Sequence, residues 1–160
     1  MGLFMALQQK DRSNELFDDL VALGCSSARI EKKVNVHFGQ SLFLKNVLIG
    51  SHFRVSYESR LVNSIYFDNS DLVNARENIN GDRNRTKFRL RYYGSRPEKA
   101  NLEIKIKQGM VGYKISVPFE FEGKITSSLN LKNAARILSS YSKYALFAQS
   151  IVAYRRHYYI

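Results

Sequence analysis

From residue 83 onward the chain alternates. Arg83, Arg85, Lys87, Arg89 and Arg91 occupy every second position, and from Lys87 on Phe88, Leu90 and Tyr92 fill the places between. Successive side chains of a β-strand point to opposite faces, so this spacing predicts a strand over 86–93 with one basic and one apolar face. In a helix the same residues would scatter around the cylinder. Two further strands repeat the pattern. Over 101–107, Glu103, Lys105 and Lys107 oppose Leu102, Ile104 and Ile106; over 113–121, Lys114 and Ser116 oppose Tyr113, Ile115, Val117, Phe119 and Phe121. Gly94-Ser95-Arg96-Pro97 and Gln108-Gly109-Met110-Val111-Gly112 are turn sequences. Neighbours joined by short turns pair antiparallel, which makes the charged faces continuous across the sheet.

The rest of the chain reads more coarsely. Residues 1–23 are helical in pattern, with Leu16, Phe17, Leu20, Val21 and Leu23 on one side, and Gly24 with Cys25-Ser26-Ser27 ends the run. Arg29, Glu31 and Lys33 alternate with Ile30, Lys32 and Val34 as a short strand with one charged side. A short helix is expected over 40–49, a strand over 60–68, and a helical turn or two over 71–78 before the Asn80-Gly81-Asp82 turn. A longer helix is expected over 127–148, with Leu131, Ala134, Ala135, Leu138, Tyr141 and Leu146 turned inward. A last strand covers 151–160, with Tyr154, Arg156 and Tyr158 on one face and Arg155 and His157 on the other. The fold class is α+β: an antiparallel sheet with flanking helices, one domain over 25–160 behind a helical segment over 1–24.

Charge changes the picture. Lys and Arg number 25 against 14 Asp and Glu, a formal charge of +11. That excess asks for an anionic partner: nucleic acid, an acidic membrane surface, a nucleotide or polyphosphate. A same-sign row along one strand face repels itself unless a polyanion lies against it; a solvated face ordinarily mixes signs. One cysteine, Cys25, excludes a disulfide framework and a thiolate zinc cluster. No apolar run has the length of a membrane span. The N-terminal residues lack a signal-peptide pattern, and Ala6 stands where a myristoylation signal has Ser or Thr. A soluble cytoplasmic protein is expected. There is no G-x-x-x-x-G-K-[ST] loop, and His37, His52 and His157 lack metal-ligand spacing. Glu31 and Glu103 each sit on a basic face. An ion pair with Lys33 or Lys105 is the simpler reading of each, and a metal ligand the sharper one. Asp68 and Asp71 bracket a turn, where Asp is at home.

These residues carry a resemblance. Arg60-Leu61-Val62-Asn63-Ser64-Ile65-Tyr66-Phe67-Asp68-Asn69 resembles the R-x-V-x-S-I-Y-F-D-T signature of the VTC domain, the polyphosphate polymerase domain. Lys87-Phe88-Arg89-Leu90-Arg91-Tyr92-Tyr93-Gly94, Leu102-Glu103-Ile104-Lys105-Ile106-Lys107 and Tyr154-Arg155-Arg156 continue it in order, and Arg29-Ile30-Glu31-Lys32-Lys33 is similar to its opening strand. The resemblance implies a triphosphate-tunnel fold, a closed antiparallel barrel. It also implies transfer of the γ-phosphoryl of ATP to a growing polyphosphate chain with a divalent metal, manganese or magnesium. Matched by motif, Lys33, Arg89, Arg91, Lys105, Lys107, Lys114 and Arg156 would bind phosphate, with Lys87 beside them. Arg89, Arg91, Lys105 and Arg156 would act at the reacting groups. The metal ligands stay open, with Glu31 and Glu103 as candidates.

Two departures bear on that expectation. Asn69 stands where the family has Thr, and family domains continue past the Y-x-R strand into strands that supply further basic residues and a metal-binding glutamate. The expected barrel is therefore incomplete at its C-terminal side. Either the sequence is a piece of a longer protein, which is the reading preferred, or another chain supplies the strands, or the chain is an inactive relative. Three functions stay open: a polymerase-type tunnel acting on ATP and polyphosphate, a module that binds triphosphate or polyphosphate without turnover, and a nucleic-acid-binding sheet using Tyr92 and Tyr93 as stacking groups. The last is disfavoured because the aromatic side chains fall mostly on the face away from the basic row.

Overall fold

Antiparallel pairing of hydrophobic alternations builds the sheet. The computed structural model describes residues 35–160. The helix expected over 1–23 and the strand with Glu31 and Lys33 lie outside the described residues. A short 3-10 turn, Phe38–Gln40, leads into α1 (Ser41–Gly50), followed by β1 (Val55–Asp68), α2 (Val73–Asn80), β2 (Asn84–Tyr93), β3 (Ala100–Gln108), β4 (Val111–Phe119), α3 (Ser128–Ser139) and β5 (Phe147–Tyr159). The five strands are all antiparallel to their neighbours, in the order β4-β3-β2-β1-β5. The sheet is open: β4 and β5 are its edges, so the described residues form a five-stranded sheet with helices rather than a closed barrel.

Register puts the apolar alternations side by side. Ile65 lies opposite Leu90, Leu90 opposite Leu102, and Leu102 opposite Val117; Phe67, Phe88, Ile104 and Ile115 form the next row. All of these except Val117, which packs against them partly exposed, are buried. The rows are covered by α3 through Ala134 and Leu138, with Ile125 and Leu146 from the flanking loops. β1, β2 and β3 read as strong strands because they are central in this arrangement. β5 pairs with β1 alone in the sheet and stays mostly exposed.

The hairpin between β3 and β4 is a two-residue turn. Gln108 pairs with Val111, and Gly109 takes φ 59, the left-handed value the first position of such a turn requires. The connection from β1 to β2 runs through α2. There Gly81, at φ 74, ends the helix, as glycine does at a C-terminal cap.

Three boundaries differ from the pattern-based expectation. β1 and β5 each begin earlier, at Val55 and Phe147, because they pair with each other over nearly their whole length. α3 stops at Ser139 instead of near 148. Its serines bond back to the helix, Ser139 Oγ donating to the Ala135 carbonyl at 2.7 Å and Ser140 Oγ to that of Ile137 at 2.7 Å. Ser139 Oγ also accepts from the Leu146 N–H at 2.9 Å, which brings the chain back toward the sheet. Tyr141, expected inward on a longer helix, is half-exposed, while Leu146 is buried from a loop. No helix among the described residues is long and apolar enough to cross a membrane.

Candidate functional site

The sheet face away from α3 carries the charge. Lys87 pairs in register with Lys105, and Lys105 with Lys114, so three lysines stand level across β2, β3 and β4. One step along, Arg89 lies opposite Glu103 on β3 and Tyr66 on β1; beyond that, Arg91 lies opposite Ser64. Like charges directly opposite one another on neighbouring strands are destabilising unless other groups offset them.

One carboxylate stands at its centre. Glu103 Oε2 accepts from Arg89 Nε at 2.7 Å and from Arg89 NH2 as well, while Lys114 Nζ reaches Oε1 at 2.7 Å. Arg91 NH1 lies 3.8 Å from Oε2. Arg89, Arg91 and Glu103 are all buried. Burial works against both charges of the central pair. For Glu103 the Lys114 hydrogen bond and the Arg89 charge outweigh it, and the carboxyl is held below its ordinary value of 4.5. For Arg89 burial is likewise outweighed, by Glu103 and Tyr66, and the guanidinium is held above its ordinary value.

Hydroxyl groups extend the network toward β5. Arg89 NH1 donates to Tyr66 at 3.5 Å. Arg91 donates to Ser64 Oγ through Nε and NH2, each at 3.3 Å, and to the Tyr154 hydroxyl at 3.4 Å. The same hydroxyl accepts from Arg156 NH2 at 2.8 Å. A continuous chain of contacts thus runs from Lys114 through Glu103, Arg91 and the Tyr154 hydroxyl to Arg156, with Arg89 attached at Glu103.

The structure therefore brings Lys87, Arg89, Arg91, Lys105, Lys107, Lys114 and Arg156 to one face; Lys33 and Glu31 lie outside the described residues. Glu103 has ion partners across strands: Arg89 directly in register, where side chains approach closely, and Lys114 on the diagonal, within reach of its long side chain. Both Glu103 oxygens are thereby engaged by cations, and among the described residues no group of three His, Cys, Asp or Glu could hold a metal.

Ser64 and Tyr66 were not legible as members of the site, and Tyr154 was legible only as sharing a face with Arg156. Their role depends on β1 lying between β2 and β5 in a fixed register, which no local spacing encodes. Asp68 was read only as a turn residue, yet its buried carboxylate holds the start of α2. Oδ1 accepts from the Asn69 and Asn74 N–H groups at 2.9 and 3.1 Å, and Oδ2 from that of Ala75 at 2.8 Å. Asn69 adds its own side-chain oxygen to the Val73 N–H at 3.0 Å. These are the unpaired donors that every helix start leaves open. Tyr92 packs in the core, so it offers no face for a base to stack on; Tyr93 lies on the basic side.

Compared with known proteins, the chain matches one family model, described as the VTC domain, over residues 26–160. No curated protein and no solved structure matches it.

Proposed function

The chain belongs to the VTC domain family, and from that membership we propose that its basic face binds the phosphates of ATP and of a polyphosphate chain and supports transfer of the γ-phosphoryl between them. In that step a terminal oxygen of the chain bonds to the γ-phosphorus, the bond from the γ-phosphorus to the β–γ bridging oxygen breaks, and ADP leaves with the electron pair. The observation that carries the reading is the level row Lys87–Lys105–Lys114 beside buried Arg89 and Arg91, with Glu103 as the carboxylate among them. Little covalent chemistry falls to the protein in phosphoryl transfer; position and neutralised charge do most of the work. Arg forks suit bidentate contact with phosphate oxygens, and Lys acts as a point charge. The family resemblance adds the expectation that this face lines a tunnel, in which low solvent access strengthens each contact.

A second reading, binding without turnover, draws on the engagement of Glu103 by Arg89 and Lys114, which leaves the described residues without a metal-ligand set. The two separate in one experiment. The chain is incubated with ATP and manganese or magnesium, and polyphosphate and ADP are measured. Formation of both supports the transferase reading and sinks the binding-only one. Absence of product, together with tripolyphosphate binding that Arg91→Ala and Lys105→Ala each weaken by about tenfold, the scale of a hydrogen bond to a charged group, sinks transfer for this chain and keeps binding.

A further inference from the structure

The basic strip does not stop at Arg91. The alternation that sets Tyr66 and Ser64 opposite Arg89 and Arg91 also puts Arg60 on that face, and Arg60 pairs in register with Arg156 of β5. Two guanidinium groups opposite each other on neighbouring strands repel. Their surroundings are aromatic. Arg60 lies 5.6 Å from the Tyr57 ring centre, Arg156 lies 5.4 Å from that of Tyr154 and 5.9 Å from that of Tyr158. Tyr57 and Tyr158 meet edge to face at 5.8 Å. Ring faces hold a guanidinium plane by cation–π attraction while leaving its edge N–H groups available. Neither Arg60 nor Arg156 takes part in an ion pair among the described residues. Both arginines are exposed.

We propose that Arg60 and Arg156 form a second anion subsite, a guanidinium clamp for phosphoryl groups of a linear polyphosphate lying beyond those held near Arg89. The stretch of β1 from Tyr66, opposite Arg89, back to Arg60 spans roughly 20 Å at the rise of a strand. A triphosphate group is shorter than this, whereas a long chain reaches both places at once. The clamp therefore makes the face selective for chain length, with Tyr154 as the bridge, since its hydroxyl accepts from both Arg91 and Arg156. The proposal rests on the polyphosphate reading above and adds Arg60 as its length-sensing residue.

The test compares binding of inorganic tripolyphosphate, long-chain polyphosphate and a single-stranded oligonucleotide to the full chain and to Arg60→Ala, Arg60→Gln and Arg60→Lys. Arg60 is exposed, and melting curves identify any variant that fails to fold; Arg60→Gln keeps the length of the side chain. Expected is a loss of about tenfold for long-chain polyphosphate in Arg60→Ala and Arg60→Gln, the scale of one or two charge-assisted contacts, with partial recovery in Arg60→Lys and unchanged tripolyphosphate binding. Equal losses on both polyphosphates, or no loss on the long chain, overturn the clamp and leave the parent reading standing. A loss confined to the oligonucleotide overturns the ligand class. Wild-type chain that binds neither polyphosphate overturns the parent reading and the clamp together.

Discussion

Glu103 is the residue on which the charged face turns. Removing one partner of a buried, hydrogen-bonded charge cluster strands the others, so Glu103→Gln should destabilise the fold by about 3–5 kcal/mol, read from urea or thermal melts. The same carboxyl sets an acid limit. Its folded-state value lies below 4.5, so its contribution is complete above that pH and is lost as pH falls below 4.5 through the folded-state value. Glu103→Gln should flatten that acid limb of a stability-versus-pH curve; an unchanged limb would show that other carboxylates set it. Asp68 makes a comparable case away from the charge. Asp68→Ala leaves several N–H groups at the start of α2 without their acceptor and should cost about 1–3 kcal/mol. Asn69 performs part of the same task, which shows why an amide oxygen can stand where the family has a hydroxyl.

At the scale of elements, α3 decides whether the apolar side of the sheet is covered. Its start is capped by Ser127 Oγ, which accepts from the Asn130 N–H at 3.3 Å, and the buried Asn130 amide ties the preceding loop through the Glu122 and Lys124 carbonyls at 2.9 and 3.0 Å. Ser127→Ala should cost about 1 kcal/mol, and Leu138→Ala, which empties a fully buried site over the sheet, about 2–5 kcal/mol. If the two changes cost the same, packing of α3 is not what holds the sheet. β2, β3 and β4 were readable as elements, faces and neighbours, because alternation and short turns state all three locally. The end of α3 was not. The helical period continues past Ser139, and only the serine hydroxyls bonding back to Ala135 and Ile137 show where the chain leaves it.

For the molecule as a whole, a polyanion that binds the folded basic face and not the unfolded chain stabilises the fold by mass action. Tripolyphosphate should therefore raise the melting temperature, by the equivalent of about 2.7 kcal/mol at a hundredfold excess over its dissociation constant. Sodium chloride at matched ionic strength should not reproduce this, since screening weakens attraction and repulsion alike. An equal shift from chloride would point to general screening in place of a site.

By itself the sequence determined the strands with a basic and an apolar face, the family, and the residue types available to hold phosphate. Those properties follow from period-two alternation, turn chemistry and motif order, all of which act over short stretches of chain. Only the tertiary structure decided which charges meet. Pairing of β1 with both β2 and β5 sets Arg91 against Ser64 and Tyr154, places Arg60 across from Arg156, and delivers Glu103 to Arg89 and Lys114 across strands. Register among β1, β2, β3 and β4 goes with burial of their apolar face under α3, that of β5 with its ladder to β1, and no local spacing carries either.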